Sequence, residues 1–237
     1  MGRAEIGELR VNYLETVCKS AAGEGKYIRQ TGGAGNYGHC KLRVEPSQPG
    51  AGNELADETK GDVIPKEFVG RVQEGVQEAM RCGVLYGFPM SGLKVTLTDG
   101  SYHEVDSNAM AFRIAGAIAL KEAALKASLV LVEPIVTAIF TVPEERTGAM
   151  IGDVESRRGR IDRMDQAAGS QVIHAVLPLA EVLSSGALGR PDYEVRFAGF
   201  EAVPASGGSR GHDATACAVK PNRPRSGTGS ATAKPDC

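Results

Sequence analysis

The feature that most constrains the fold is a glycine-rich loop at residues 30–39, in which four of ten positions are glycine. Gly33, Gly35 and Gly38 match G-x-G-x-x-G, which binds phosphates in dinucleotide-binding folds when the third glycine opens a helix. Here residues 40–44 alternate between apolar and polar side chains, which is the periodicity of a strand. The sequence therefore predicts a hairpin that carries a glycine loop and argues against a dinucleotide-binding turn.

A glycine loop within a hairpin also covers ATP in protein kinases, so a glycine-loop nucleotide-binding enzyme is an alternative. The sequence contains no H-R-D, D-F-G or A-P-E motif, and these motifs carry the kinase chemistry. A Walker loop is missing as well, because Ser20 occupies its first glycine position and Tyr27 its metal-binding hydroxyl position. The nucleotide enzyme is thus the less favoured interpretation.

The overall composition sets wide limits. A chain of 237 residues is long enough for two small domains, and its formal charge of -2 gives no general argument for nucleic-acid binding. The five cysteines form no C-x-x-C pair and cluster with no histidine, so we expect no metal site. No signal peptide is visible and no apolar run approaches the ~18 residues of a membrane span, which favours a cytoplasmic protein that does not bind membranes.

The segment at residues 205–237 differs from the rest of the chain. It is rich in small residues and proline, and its five basic and two acidic side chains give it a charge of +3. Such a composition buries too little apolar surface to fold, which predicts a disordered basic tail. The alternative is that this basic tail has a function, namely nonspecific electrostatic attraction to RNA.

Two helices and a strand are predicted between the hairpin and about residue 132. Residues 64–67 open an amphipathic helix that ends at Gly83. Residues 93–98 alternate as a strand and run into Asp99-Gly100, which is a turn signal. The polar loop at residues 100–106 contains His103, and a lone loop histidine is most often simply exposed.

A second helix is predicted over residues 108–127, capped by Asp106 or Ser107. Its alanine-rich sequence indicates close packing on a sheet. The larger side chains expected to contribute to the core are Met110, Ile114, Ile118 and Leu125.

The pattern restarts after residue 132, where we place a domain boundary. It predicts strands at 135–140, 160–166, 171–177 and 193–200, and helices at 143–158 and 179–188. The order βαββαβ is that of a ferredoxin-like sandwich, so the fold class is α+β with two domains.

A basic cluster lies near the end of the first of these helices and comprises Arg157, Arg158, Arg160 and Arg163. The helix dipole favours arginine in a last turn, and Gly159 is a plausible residue to follow the helix. This explains Arg157 and Arg158 but leaves Arg160 and Arg163, so phosphate contact stays open as a second interpretation.

Several segments together resemble translation elongation factor G, in its C-terminal domains IV and V. They are GKYIRQTGGAGNYGH (25–39), IPKEF (64–68), VTLTDGSYHEVDSNAMAF (95–112), LVEPI (131–135) and IGDVESRRGRI (151–161). The resemblance implies the end of a preceding domain or linker at residues 1–20, a domain IV-like unit at 21–132 and a domain V-like unit at 133–204. It also implies that the first domain resembles a ribosomal-protein domain with a left-handed βαβ crossover, which differs from the usual right-handed rule.

The resemblance implies a ribosome-binding module that supports tRNA and mRNA translocation by inserting two tip loops at the decoding site. It predicts contact with RNA or tRNA by Gly32, Gly33, Gly35, Asn36, Tyr37, Gly38, His39, Ser101, Tyr102 and His103, and contact with ribosomal RNA by the four arginines. His103 matches the histidine of the second tip, which raises its expected importance. The implied partner is the ribosome, and a monomer is expected.

Departures from the family pattern limit these implications. The family loop usually has arginine and glutamine where this chain has Ala34 and Asn36, which predicts weaker and less salt-dependent RNA contact. The region 181–192 is also shorter than in the family. Since the GTPase half is absent, we expect no catalytic residue and no cofactor in this chain, because GTP and magnesium would belong to that half. A fragment, a split gene, a stand-alone paralogue and a ribosomal protection protein are the alternatives.

Overall fold

The computed structural model describes residues 11–30, 35–167, 169–184 and 193–204. Two sheets organise the chain. The first contains β2 (Ala21–Arg29), β3 (Asn36–Pro46), β4 (Asn53–Asp57) and β5 (Leu93–Ser101), with α1 (Lys66–Cys82) and α2 (Ala109–Lys126) packed on it. The second contains β1 (Leu14–Val17), β6 (Leu129–Pro143), β7 (Arg160–Ala167), β8 (Ser170–Pro178) and β9 (Tyr193–Ala202), with α3 (Thr147–Ser156) and α4 (Leu179–Ser184). The predicted α+β class with two domains is confirmed.

The first sheet has the order β2-β3-β5-β4. The predicted hairpin around the glycine loop is β2 and β3, and the alternation at residues 40–44 corresponds to side chains that alternate between the core and the open face. Strand β4 was not predicted, and it pairs with β5 in parallel, so α1 lies in a β-α-β crossover between them.

The turn predicted at Asp99-Gly100 is wrong. Strand β5 continues through both residues to Ser101, and its pairing with β3 shifts register between Lys41 and Leu42. The shift inserts Thr98 as an extra residue, whose hydroxyl donates to the Lys41 carbonyl at 3.1 Å. This bulge lets a D-G pair lie inside a strand instead of ending it.

Helix α2 packs with a different face from the one predicted. Met110, Ile118 and Leu125 are exposed at 64%, 40% and 44%, whereas six alanine and glycine residues of the helix are buried together with two larger apolar residues. The buried face consists of Ala111, Phe112, Ala115, Gly116, Ala119, Leu120, Ala123 and Ala124.

The sheet explains this choice of face, because Gly23, Gly25 and Gly38 lie directly beneath α2. A Cβ atom at any of them would overlap the backbone of α2. The atoms of α2 that lie against these glycines belong mainly to Ala111, Ala115, Ala119 and Ala123, so alanine allows the close approach. The cap also differs from the prediction, since the Asn108 side chain accepts from the Ala111 N–H.

The second sheet has the order β1-β6-β8-β7, and β9 also pairs with β6, which therefore has three partner strands. The predicted ferredoxin-like βαββαβ order is confirmed. The helix predicted at 143–158 is a 3-10 turn at Glu144–Arg146 followed by α3. The helix predicted at 179–188 begins as α4, and its end lies outside the described residues.

Helix α3 ends without the predicted use of Gly159. Arg158, rather than Gly159, has the left-handed backbone, with φ of 58°. Gly159 instead lies against Val154, where a Cβ would overlap the Val154 side chain and carbonyl. Glycine at 159 therefore allows the close approach to Val154, while Arg158 takes the left-handed backbone of the turn.

Strand β1 joins the two parts of the chain. It pairs with the first residues of β6, from Leu129 to Val132, and Glu15 forms a bridge with Met90 of the first domain. Domain limits at residues 20 and 132 stay predictions. Among the described residues, no helix combines the length and apolar character needed to cross a membrane.

Candidate nucleic-acid interface

The β2–β3 loop and the β5–α2 loop lie side by side and form a shared tip. The Gly35 N–H donates to the Asp106 carboxylate at 2.8 Å, and the Tyr37 N–H donates to the Asp106 carbonyl at 2.8 Å. Residues 31–34, including Gly32 and Gly33, lie outside the described residues. The described parts of the two loops are thus one connected unit.

Asn36 links the tip to the start of α2. Its side-chain oxygen accepts from the Asn108 amide at 2.9 Å, while the Asn108 oxygen caps the helix at the Ala111 N–H. A short asparagine therefore fits between the loop and the helix cap, where it makes an internal contact.

His103 is exposed at the tip and lies beside Tyr37. Their ring centroids are 5.7 Å apart and the ring planes make an angle of 59°. The backbone of His103 is held by Ser107, since the His103 N–H donates to the Ser107 hydroxyl at 2.8 Å and the Ser107 N–H donates to the His103 carbonyl at 3.0 Å. Tyr102 is 41% exposed. Two rings of the second loop are thus accessible on a fixed backbone.

His39 is placed differently from His103. Its side chain is 13% exposed and both of its ring nitrogens have partners. Nδ1 lies 2.7 Å from the Ser101 hydroxyl, and Nε2 lies 2.7 Å from a Glu24 carboxylate oxygen. Gly38 is buried beneath α2. Neither residue therefore presents a free polar side chain to solvent.

The open face of the first sheet largely neutralises its own charge. Lys41 pairs with Asp99 at 2.9 Å, and Arg43 lies within 3.3 Å of Glu45 and 3.1 Å of Glu58. The hydrogen bond from Lys41 lowers the pKa of the Asp99 carboxyl and raises that of the lysine.

Two cations near the tip differ from these pairs. Lys26 and Arg29 lie on the end of β2 that approaches the loops, and both are exposed. Within the described part of the chain, neither has a carboxylate within ion-pair distance. They are the cations best placed to meet a phosphate beside the tip.

All four arginines predicted to contact ribosomal RNA have carboxylate partners in this chain. Arg157 pairs with Asp153, Arg158 with Glu133 and Glu181, Arg160 with Glu201, and Arg163 with Asp165. The hydrogen bonds that Arg157, Arg158 and Arg160 donate to these carboxylates raise the pKa of the three guanidinium groups. Ion pairing thus supplies a structural role also for Arg160 and Arg163, and their contact with RNA stays a prediction.

Sequence reasoning missed three carboxylates that hold parts of the fold together. Glu24 contacts His39, Glu133 contacts Arg158, and Glu15 contacts the loop after α1. Glu15 is buried, and its carboxylate accepts from the N–H groups of Val84, Leu85, Tyr86 and Phe88 at 2.7 to 3.4 Å. No spacing motif indicates such a cluster, because strand β1 meets this loop only after folding. In the described ranges, no three His, Cys, Asp or Glu side chains gather as a metal site.

Comparisons with known proteins agree with this architecture. A family model described as elongation factor G, domain IV matches residues 9–128, and one described as elongation factor G C-terminus matches residues 130–207. A protein from Thermus thermophilus, known from a crystal structure, is 40% identical with a TM-score of 0.71. The match covers 85% of this chain and 31% of that chain, so this chain spans about a third of the length of that relative.

Proposed function

Because the chain belongs to the elongation factor G family, with the domains of a translation elongation factor module, we propose that it binds the ribosome and supports tRNA and mRNA translocation. In this proposal the tip formed by the β2–β3 and β5–α2 loops enters the decoding site. The second domain provides a further contact with ribosomal RNA. The chain acts as a monomeric cytoplasmic module.

The observation that carries the proposal is the distance of the tip from the rest of the molecule. Helix α2 has 18 residues and starts at the tip, so it spans about 27 Å toward the second domain. Strand β2 runs the same length of the first domain, from Ala21 to Arg29. A domain of this length, whose described loop residues are held together by hydrogen bonds at one end, is suited to reach a site inside a large RNA particle.

The exposed groups suit RNA recognition without covalent chemistry. The rings of Tyr102 and His103 are available to stack on unpaired bases or to donate hydrogen bonds. Lys26 and Arg29 are available to pair with phosphates, which position an RNA ligand without reading its sequence. Since Ala34 provides no guanidinium, most of the salt dependence at the tip is assigned to these two cations.

We assign no catalytic step and no cofactor to this chain. In the proposed role it provides contacts, while GTP and magnesium would be bound by a GTPase domain. Only the two C-terminal domains of the family are matched here, over residues 9–128 and 130–207. A change in melting temperature on adding nucleotide and magnesium would argue for the alternative nucleotide enzyme.

Co-sedimentation with ribosomes tests the binding. We expect the chain to pellet with ribosomes at low salt and less at high salt. Lys26→Ala with Arg29→Ala should weaken pelleting and flatten its salt dependence. Lys121→Ala, on an exposed turn of α2 about 18 Å from its start, is the matched control and should behave as wild type.

Chemical footprinting tests the location of the tip. The bound chain should protect decoding-site RNA from modification, and His103→Ala should lose part of this protection while still pelleting. If the chain stays in the supernatant at both salt concentrations, the proposal fails. If it pellets but protects only RNA elsewhere, the insertion of the tip is wrong.

A further inference from the structure

Four side chains on the open face of the first sheet form a continuous hydrogen-bonded series that leads to the tip. The series runs from Glu24 on β2 through His39 on β3 and Ser101 on β5 to Tyr37 on β3. Its separations are 2.7 Å, 2.7 Å and 2.8 Å. Strand pairing places His39 directly beside Ser101, so the backbone register creates the series.

The chemistry of the groups gives the series a direction. Nε2 of His39 faces a carboxylate oxygen, which only accepts, so this nitrogen carries the proton. In a neutral imidazole Nδ1 is then the acceptor, and the Ser101 hydroxyl must donate to it. The Ser101 oxygen remains free to accept from the Tyr37 hydroxyl. With this neutral tautomer every donor points the same way, an arrangement in which each bond strengthens the next.

Ser101, His39 and Glu24 are also the residue types of a hydrolytic triad. Here, however, the serine oxygen is also hydrogen-bonded to the Tyr37 hydroxyl at 2.8 Å, so it has a partner inside the chain on each side. The four side chains also follow a sheet surface between charged pairs such as Lys41 and Asp99. The arrangement fits the holding of a ring better than acyl transfer.

The ring that this series holds is that of Tyr37, which lies beside His103. The Tyr37 hydroxyl is fixed at Ser101, its N–H is fixed at Asp106, and its ring lies 5.7 Å from the His103 ring. The His103 side chain is otherwise exposed at the end of the molecule. Its orientation therefore depends on the ring of Tyr37.

We infer that His39 is a positioning residue of the tip: through Ser101 it anchors the Tyr37 hydroxyl, and the anchored ring orients His103. His39 thus acts from behind the tip and does not contact RNA. The inference rests on the proposed function only for its consequence on the ribosome, because the orientation of His103 can be measured in the free chain.

The test is the position of the His103 imidazole resonances in NMR spectra of the whole chain. Two substitutions of His39 separate its two contacts, because an Asn amide reaches the place of Nδ1 and a Gln amide the place of Nε2. His39→Asn should keep the Ser101 contact and leave His103 near its wild-type position. His39→Gln should shift His103, and so should Tyr37→Phe and Ser101→Ala.

Additivity and a control complete the test. Combining His39→Gln with Tyr37→Phe should shift His103 no further than either change alone, since both break one series. Lys41→Gln, two residues along the same face, should not shift it. The inference is overturned if Tyr37→Phe leaves His103 in place, or if His39→Asn shifts it as much as His39→Gln. These spectra decide the matter even if the chain fails to pellet with ribosomes, whereas pelleting alone bears on the proposed function.

Discussion

The Asp106 carboxylate accepts the N–H of Gly35 at 2.8 Å, and this contact joins two loops that are far apart in the sequence. The Asp106 carbonyl accepts the Tyr37 N–H as well, so one residue of the second loop holds two residues of the first. The described part of the tip is therefore held by two backbone N–H groups of the first loop, which most residue types would supply.

We expect Asp106→Ala to release the first loop locally. The Gly35 amide should exchange its hydrogen faster, and the free energy of unfolding should fall by about 1 kcal/mol, the usual value of one hydrogen bond. Asp106→Asn retains an oxygen acceptor and is the matched control. Hydrogen exchange followed by NMR checks this, and equal Gly35 rates in the two variants would contradict it.

Replacement of Gly25 by alanine should destabilise the first domain strongly. The added Cβ would overlap the carbonyl of Ala115, so α2 must move away from the sheet, at a cost of about 3 kcal/mol. Gly70 is the control, because nothing lies within 4 Å of its Cβ position in α1. Gly70→Ala should stabilise the protein by about 0.5–1 kcal/mol. Urea unfolding of both variants makes the comparison.

Most of the fold could be predicted because it depends on local periodicity. The alternation at residues 40–44 and the helical spacing before Gly83 correspond to β3 and α1, and the ferredoxin-like order follows from such patterns. Strand β4 escaped prediction since its residues do not alternate clearly. The buried face of α2 was not predicted for another reason. It depends on Gly23 and Gly25, which are close to the helix only in the folded chain.

The candidate site was less predictable. Resemblance pointed to both loops and to His103, and the structure brings the described parts of these loops together. The resemblance could not show that both ring nitrogens of His39 have partners, because Glu24 reaches His39 only through the pairing of β2 with β3. Short motifs report which residue types are present, whereas contacts across strands require the register.

Glu15→Gln should loosen the junction between β1 and the loop that follows α1. The carboxylate accepts four backbone N–H groups in a buried site, and the glutamine amide would direct its own N–H groups at some of them. We expect a loss of about 2–3 kcal/mol, as for hydrogen bonds to a charged group. Glu54→Gln, on an exposed position of β4, should change stability by less than about 0.5 kcal/mol. Chemical denaturation would contradict the prediction if both variants unfold alike.

The two described free cysteines should differ in reactivity. Burial raises the pKa of the Cys40 thiol to about 12, so at pH 8 the thiol is protonated as well as inaccessible, whereas Cys82 is exposed. Iodoacetamide should label Cys82 in the native protein and Cys40 only after unfolding. Peptide mapping by mass spectrometry follows both sites in one sample. Labelling of native Cys40 at the rate of Cys82 would show that β3 is not packed as described.

Arg158→Ala should destabilise the second domain more than Arg160→Ala. The Arg158 guanidinium forms two hydrogen bonds with Glu133, whose side chain is only 3% exposed, so its removal leaves a buried charge without its partner. Because Arg158 is itself partly exposed, we expect a loss of about 2 kcal/mol, below the usual range for a fully buried pair. The pair of Arg160 with Glu201 is on the surface and should contribute less than about 1 kcal/mol.

A second substitution separates this explanation from backbone strain. Arg158 has a left-handed backbone, which alanine tolerates poorly, so Arg158→Ala alone mixes two effects. Adding Glu133→Gln removes the unpaired charge and should recover part of the stability in urea unfolding, while Arg158→Gly relieves only the strain. If Arg158→Gly is as stable as wild type, and Glu133→Gln does not raise the stability of Arg158→Ala, then pairing with the buried Glu133 charge is not the stabilising role of the arginine. If Glu133→Gln instead recovers stability in the Arg158→Ala variant, Arg158 has a structural role as the partner of Glu133, independent of any contact with RNA.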